Sequence, residues 1–191
     1  MNEPKRCGWV ENTFDQYYKY HDEEWGVPVH DDKVHFEFLV LESAQAGLSW
    51  STILKKREGY RSAFANFDVQ KVAQFDEQKA EELVQNPNIV RNKMKIDAAI
   101  NNAKRFIEVQ KEFGSFNKYL WQFVNNKVIV GHIKNHKEAP ATTKESDALA
   151  KDLKKRGFKF LGSTTIYAHM QAVGLVNDHT VDCFRYKEVL L

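Results

Sequence analysis

The sequence predicts an all-α fold with room for one short pair of strands. Apolar residues recur at helical spacing through most of the chain. Asp or Ser precedes several of these segments, where a side-chain oxygen can cap the first free N–H groups. One stretch, "KVIVGHI" (127–133), alternates weakly in the manner of a strand.

Taken in order, Asp31 or Asp32 caps a helix running to about Ala46, and Gly47 is its stop. "WSTILKKREGYRSAFANF" (50–67) is a second amphipathic segment. Asp68 caps "VQKVAQF" and Asp76 caps "EQKAEELVQ". "NPNIV" (86–90) breaks the pattern before "RNKMKIDAAINNAKRFIEVQKEF", a long helix over 91–113. "FNKYLWQFVNN" is another helix, 126–145 is irregular, Ser146 caps "DALAKDLKKRG", and "TTIYAHMQAVG" is the last helix.

The 191 residues suit one domain spanning 1–191, with ordinary shares of hydrophobic (42%) and charged (28%) residues. A net charge of +2 does not by itself announce a nucleic-acid partner, so local basic clusters must make that case. No apolar run reaches the roughly 18 residues of a membrane span. "MNEPKRCGWVEN" lacks the apolar core of a signal peptide, so a cytoplasmic, reducing setting is expected, in which the two cysteines stay unpaired.

Four features stand out. Cys7 and His21 lie near one end, His179 and Cys183 near the other. Two thiolates and two imidazoles would close a tetrahedral structural zinc site. Free cysteines among surface histidines remain the alternative, since the long-range pairing is not a standard finger spacing. Trp9, Tyr17, Tyr20, Trp25 and Trp50 are dense for so short a span and suit either a core or a pocket for a flat ligand. Arg91, Lys93 and Lys95 open a helix behind a Pro-containing turn, and Lys154, Lys155, Arg156 and Lys159 form a second basic run. Both suit phosphate or a solvated face. Glu42 falls on the helix face of His35, Phe38, Leu39 and Ala46, where a carboxylate needs a salt bridge, a proton or a cationic partner.

The segments "RCGWV", "YYKYHDEEWGVP", "LESAQAGLSWSTILKKRE", "RSAFANFD", "NIVRNKMKIDAAINNA", "SDALAKDLKKRGFKFLGSTTIY" and "MQAVGLVNDH" span nearly the whole chain. In that order the sequence resembles the 3-methyladenine DNA glycosylase I family of the helix-hairpin-helix superfamily. The resemblance implies a helical glycosylase domain whose N- and C-terminal segments, 1–30 and 165–191, join through one structural Zn2+ held by Cys7, His21, His179 and Cys183. It implies a lesion pocket with Glu42 as the catalytic residue and Tyr20 and Trp50 against the base, with Trp9, Tyr17 and Trp25 nearby. "NPNIVRNKMK" becomes the hairpin that grips the DNA backbone, although it lacks the glycine-rich form common in the superfamily. Gln45, Gly47 and Leu48 in "QAGLS" become probes of the gap left by a flipped base. No Asp stands out as the aid to base departure that most of the superfamily uses. The implied partner is double-stranded DNA containing alkylated adenine, met by a monomer. A zinc-stapled DNA-binding module without activity is one alternative. A helix-hairpin-helix glycosylase for another base is the other, and two cysteines are too few for the iron–sulfur cluster usual in such enzymes.

Overall fold

A computed structural model describes residues 4–190, and among them the chain is predominantly helical. The helices are α1 (Asp15–Glu23), α2 (Asp32–Gln45), α3 (Trp50–Ala63), α4 (Val69–Val72), α5 (Glu77–Gln85), α6 (Lys93–Phe113), α7 (Phe116–Trp121), α8 (Lys144–Lys155), α9 (Ser163–Ala172) and α10 (Arg185–Glu188). A short parallel pair, β1 (Ile129–Val130) and β2 (Val176–Asn177), aligns Ile129 with Val176 and Val130 with Asn177. This strand pair ties the irregular middle of the chain to the segment just before His179.

The caps explain most boundaries. Asp31, Ser49, Asp68, Asp76, Asn92 and Ser115 each accept a backbone N–H in the first turn of the helix that follows. Gly47, at φ +78°, turns the chain away from α2 where a side chain would be strained. Several boundaries differ from those read off the sequence. Helix α1 was not anticipated: Phe14 gives it no side-chain cap, and its stripe is aromatic. The segment 50–67 is not one helix, because Ala65, Asn66 and Phe67 take positive φ beyond the end of α3. Helix α6 starts at Lys93, since Asn92 is its cap. Helix α8 is capped by Thr143, and Ser146 is the reciprocal member of that capping box. The four-residue α10 follows α9, so "TTIYAHMQAVG" does not hold the last helix.

Helix α2 is the axis of the core. Every residue from His35 to Ala44 is buried, so it is covered on all sides, with α3, α6, α7 and α9 against it. The hairpin 86–92 between α5 and α6 lies against α3. A Cβ at Gly59 would come within 2.2 Å of Asn88 O, so only glycine admits this approach. Tyr60 Oη accepts from Val90 N, and Lys56 Nζ donates to Pro87 O, fixing the same hairpin.

Candidate functional site

Helix α2 carries two buried carboxylates with opposite fates. Glu37 accepts hydrogen bonds from Arg57 Nε at 2.8 Å and Arg61 Nη2 at 3.1 Å. Glu42 is 4% exposed and has no hydrogen-bond or ion-pair partner among the described residues. Burial alone pushes its carboxyl up to about 8, so at neutral pH it is mostly protonated. The salt-bridge reading of this residue has no support in the structure.

Glu42 lines a cavity of about 330 Å³, a size within the range of small-molecule sites. The structure brings all five expected aromatic residues to it: Trp9, Tyr17, Tyr20, Trp25 and Trp50, with Gln45 at the rim. Two helices and the segments flanking the first supply them. Tyr17 and Tyr20 come from α1, Trp50 from the start of α3, and Trp9 and Trp25 from the flanks of α1. Trp50 lies nearly parallel to Phe38 at 16° and 6.4 Å, and Tyr20 stands 5.3 Å from it. Trp9 meets Tyr17 and Trp25 edge-on at 5.5 and 4.9 Å. Burial, and then the nearby Glu42, push the Tyr17 and Tyr20 phenols up, so both keep their protons and remain donors. The cavity can therefore take a flat ring, with π-faces around it and one carboxylate whose ionised form needs a cation.

Sequence reasoning missed the rest of the wall. His136, Ala139 and Pro140 come from the irregular 126–145 stretch, which has no periodicity to draw attention to it. Ala168 and Gln171 lie on α9, and Asp178 follows β2. Asp178 is buried, and its Oδ2 accepts from Tyr167 Oη and from Gln171 Nε2 at 2.7 Å. The signal available was position: Asp178 immediately precedes His179.

Behind this wall, Cys7, His21, His179 and Cys183 converge, all buried, with their donor atoms within 4.8 Å of one another. Cys7 Sγ lies 3.5 Å from His179 Nδ1, and Cys183 Sγ lies 3.5 Å from His21 Nε2 and 3.6 Å from His179 Nδ1. A tetrahedron with ordinary zinc–thiolate and zinc–imidazole bonds requires S···N edges of about 3.5–3.6 Å. The outer ring nitrogens are also held. His21 Nδ1 bonds Asp22 Oδ1 at 2.7 Å, and His179 Nε2 bonds the carbonyl of Trp25 at 2.9 Å. Burial pushes Asp22 up, but Arg6 and His21 hold it below the usual carboxylate range, so it stays an acceptor. Such outer partners set which nitrogen faces a metal. The four residues could hold a divalent ion with no position left open.

The basic residues at the start of α6 are placed differently from one another. Lys93 Nζ is surrounded by Glu77, Glu81 and Asp97. Lys95 Nζ donates to the carbonyls of Ala44 and Ala46. Arg91 is exposed and has no ion pair or hydrogen bond from its side chain among the described residues. The expectation of three cations facing phosphate therefore meets a structure in which two ammonium groups are already engaged. In the second basic run, Arg156 is held by Asp152 and Glu112. Leu48 is 40% exposed at the tip of the turn between α2 and α3.

Comparison with known proteins gives the chain's relatives. The chain is 50% identical over 182 residues to DNA-3-methyladenine glycosylase 1 of Escherichia coli strain K12, covering 95% of this chain and 97% of that one. A crystal structure of a 3-methyladenine DNA glycosylase I superposes with a TM-score of 0.91 at 47% identity, covering 94% of this chain and 98% of the other. A variant of a 3-methyladenine DNA glycosylase I, solved in complex with 3-methyladenine, gives a TM-score of 0.90 at 39% identity over 94% of this chain and 96% of the other. Residues 9–186 match the family model of the methyladenine glycosylases, and the chain belongs to that family.

Proposed function

We propose that this chain is a DNA repair glycosylase that flips N3-methyladenine out of duplex DNA and hydrolyses its N-glycosidic bond, leaving an abasic site. The observation that carries the proposal is Glu42, buried without a counter-ion in a cavity walled by Trp and Tyr. Methylation at N3 places positive charge on adenine and weakens its bond to the sugar. The lesion thus brings the cation that Glu42 lacks, and the aromatic faces add cation–π attraction. Trp50, backed by Phe38, offers a stacking face. Unmodified adenine carries no charge and meets the protonated carboxyl, so it gains no ion pairing, and selectivity follows from that difference.

The methylated base departs with the electrons of the glycosidic bond and becomes neutral. Water adds to the sugar C1′ and loses a proton. Glu42 acts by binding that strengthens toward the oxocarbenium state, in which the positive charge is shared between sugar and base. Base extrusion is needed because the reacting atoms are inaccessible within the duplex.

The DNA-facing parts of the proposal are the α5–hairpin–α6 unit, read as the superfamily's helix-hairpin-helix, and the turn carrying Gln45, Gly47 and Leu48. Arg91 is the cation best placed by its freedom to meet a phosphate. The Cys7–His21–His179–Cys183 group holds one structural Zn2+, supported by the S···N distances and the fixed ring nitrogens. Such an ion would join residues 1–30 to residues 165–191.

The test is incubation with methylated duplex DNA, scored for free 3-methyladenine and for alkali-labile sites. Both are expected, and Glu42→Gln should slow their appearance. DNA binding without base release would replace the enzyme with a binding module. Release of a different alkylated base alone would move the specificity elsewhere in the superfamily.

A further inference from the structure

Helix α2 ends without a cation of its own: its last turn contains no Lys, Arg or His. The final carbonyls of a helix have no intrahelical partner and carry the negative end of its dipole. Lys95, from the first turn of α6, supplies what α2 lacks. Its Nζ donates to Ala44 O at 2.8 Å and to Ala46 O at 2.6 Å. These two carbonyls bracket the point where the chain leaves the helix. Beyond it the turn is exposed from Ala46 to Ser49, and Gly47 has no neighbour within 4 Å of where a Cβ would sit. The other ties of this turn are local: Leu48 N donates to Gln45 O at 2.6 Å, and Gln45 Nε2 reaches Leu48 O at 3.4 Å. Among the described residues, Lys95 is therefore the tie from outside α2 and its turn that these carbonyls receive.

We infer that Lys95 is a positioning residue for base extrusion: its ammonium caps α2 from the hairpin helix and sets the angle at which the Gln45–Ser49 turn presents Leu48 to the duplex. The inference rests on the glycosylase reading and gives this lysine a role other than phosphate contact. The same two hydrogen bonds tie the hairpin unit to the end of the helix that carries Glu42. The hairpin's grip on the backbone and the probing turn thereby keep a fixed relation. Loss of the ammonium should leave the cavity largely intact, since its wall residues other than Gln45 at the rim lie outside the turn, while the exposed turn loses its external support.

The experiment compares wild type, Lys95→Met, Leu48→Ala and the double variant. Release of 3-methyladenine is measured from methylated duplex and from methylated single strands, together with affinity for free 3-methyladenine and the salt dependence of binding to undamaged duplex. Lys95→Met should lower duplex excision by roughly tenfold to a hundredfold, the scale set by an ångström-sized misplacement. Single-strand excision and free-base affinity should stay within about twofold, because neither needs a base driven from a stack. The salt slope should be unchanged, and the double variant should lose no more than the worse single one. Lys95→Arg, which keeps the charge, should recover part of the duplex rate. Equal losses on duplex and single strands would overturn the inference, as would an unchanged duplex rate. So would a salt slope reduced by about 1, the mark of a lost phosphate contact. If Lys95→Met fails to fold, Lys95→Gln, which can still donate to one carbonyl, is judged by the same readouts. Failure of the wild type to release the base would count against the glycosylase reading itself.

Discussion

Glu37 and Glu42 share one helix and almost the same burial, 5% and 4% exposed, yet Arg57 and Arg61 reach the first and, among the described residues, no cation reaches the second. The difference separates a carboxylate neutralised within the fold from one buried without a counter-charge. It also gives two matched substitutions with opposite expected outcomes.

Glu42→Gln keeps the shape of the side chain and removes its charge. It should weaken 3-methyladenine binding and slow excision by about 1.5–3 kcal/mol, the scale of a charge-assisted hydrogen bond. Its effect on stability should depend on pH. The folded carboxyl titrates near 8 against an ordinary 4.5, so the native state loses stability as pH rises from 4.5 through 8. The variant's gain in Tm should thus begin above pH 4.5 and be complete above 8. Lesion affinity of the wild type should rise over the upper part of the same window, because the cation needs the ionised form. A variant that melts early yet binds the base normally would remove Glu42 from the pocket chemistry.

Glu37→Gln should do the reverse. Breaking this buried pair should cost up to about 3 kcal/mol, moderated by the second carboxylate, Glu24, on Arg57. Affinity for the base in the folded fraction should be unchanged. Denaturant unfolding and base titration on the same preparation check both halves.

Metal analysis should find one zinc per chain. Cys183→Ser should lower Tm more than it alters excision by the surviving folded fraction, because a closed four-ligand site has no open position for chemistry. Some loss of base affinity is still expected, since His179 holds the Trp25 carbonyl and Asp178 is its neighbour. Protein purified without chelator and found free of zinc would contradict this.

Two buried histidines should set the acid limit. Burial pushes His35 down to about 4, and His169, with both ring nitrogens unpartnered, falls well below its ordinary value. The unfolded chain takes up these protons near 6.5 and the folded chain does not, so the histidines' contribution is complete above 6.5 and is lost as pH drops toward 4, against the opposite slope that Glu42 adds between 4.5 and 8. The slope should approach about 1.4 kcal/mol per pH unit for each histidine. His169→Phe should flatten it, and an unchanged acid slope would assign the loss to other groups.

Arg91→Ala should reduce the salt slope of duplex binding by roughly 1, as expected for one lost phosphate contact. Lys93→Ala should change it less, because three carboxylates already surround that ammonium. Equal effects from the two would show that DNA draws Lys93 out of its acidic cage.

The helical class, three of the caps and the residues worth watching are legible in the sequence alone. Asp31, Asp68 and Asp76 act within a few residues of themselves, so their roles are local and legible. The Cys/His set and the aromatic cluster were visible as residue types that chemistry uses sparingly. Helix α1 was not, because its aromatic stripe serves a cavity built from distant parts of the chain. Which carboxylate on α2 is paired follows from packing across the core, since Arg57 and Arg61 come from the next helix. The same holds for Lys95, which caps a helix about fifty residues earlier in the chain, and for Pro140 and Asp178, which close the cavity wall. Spacing along a chain predicts contacts one turn apart. Which charge meets which across the core depends on how the helices pack, and no local pattern carries that information.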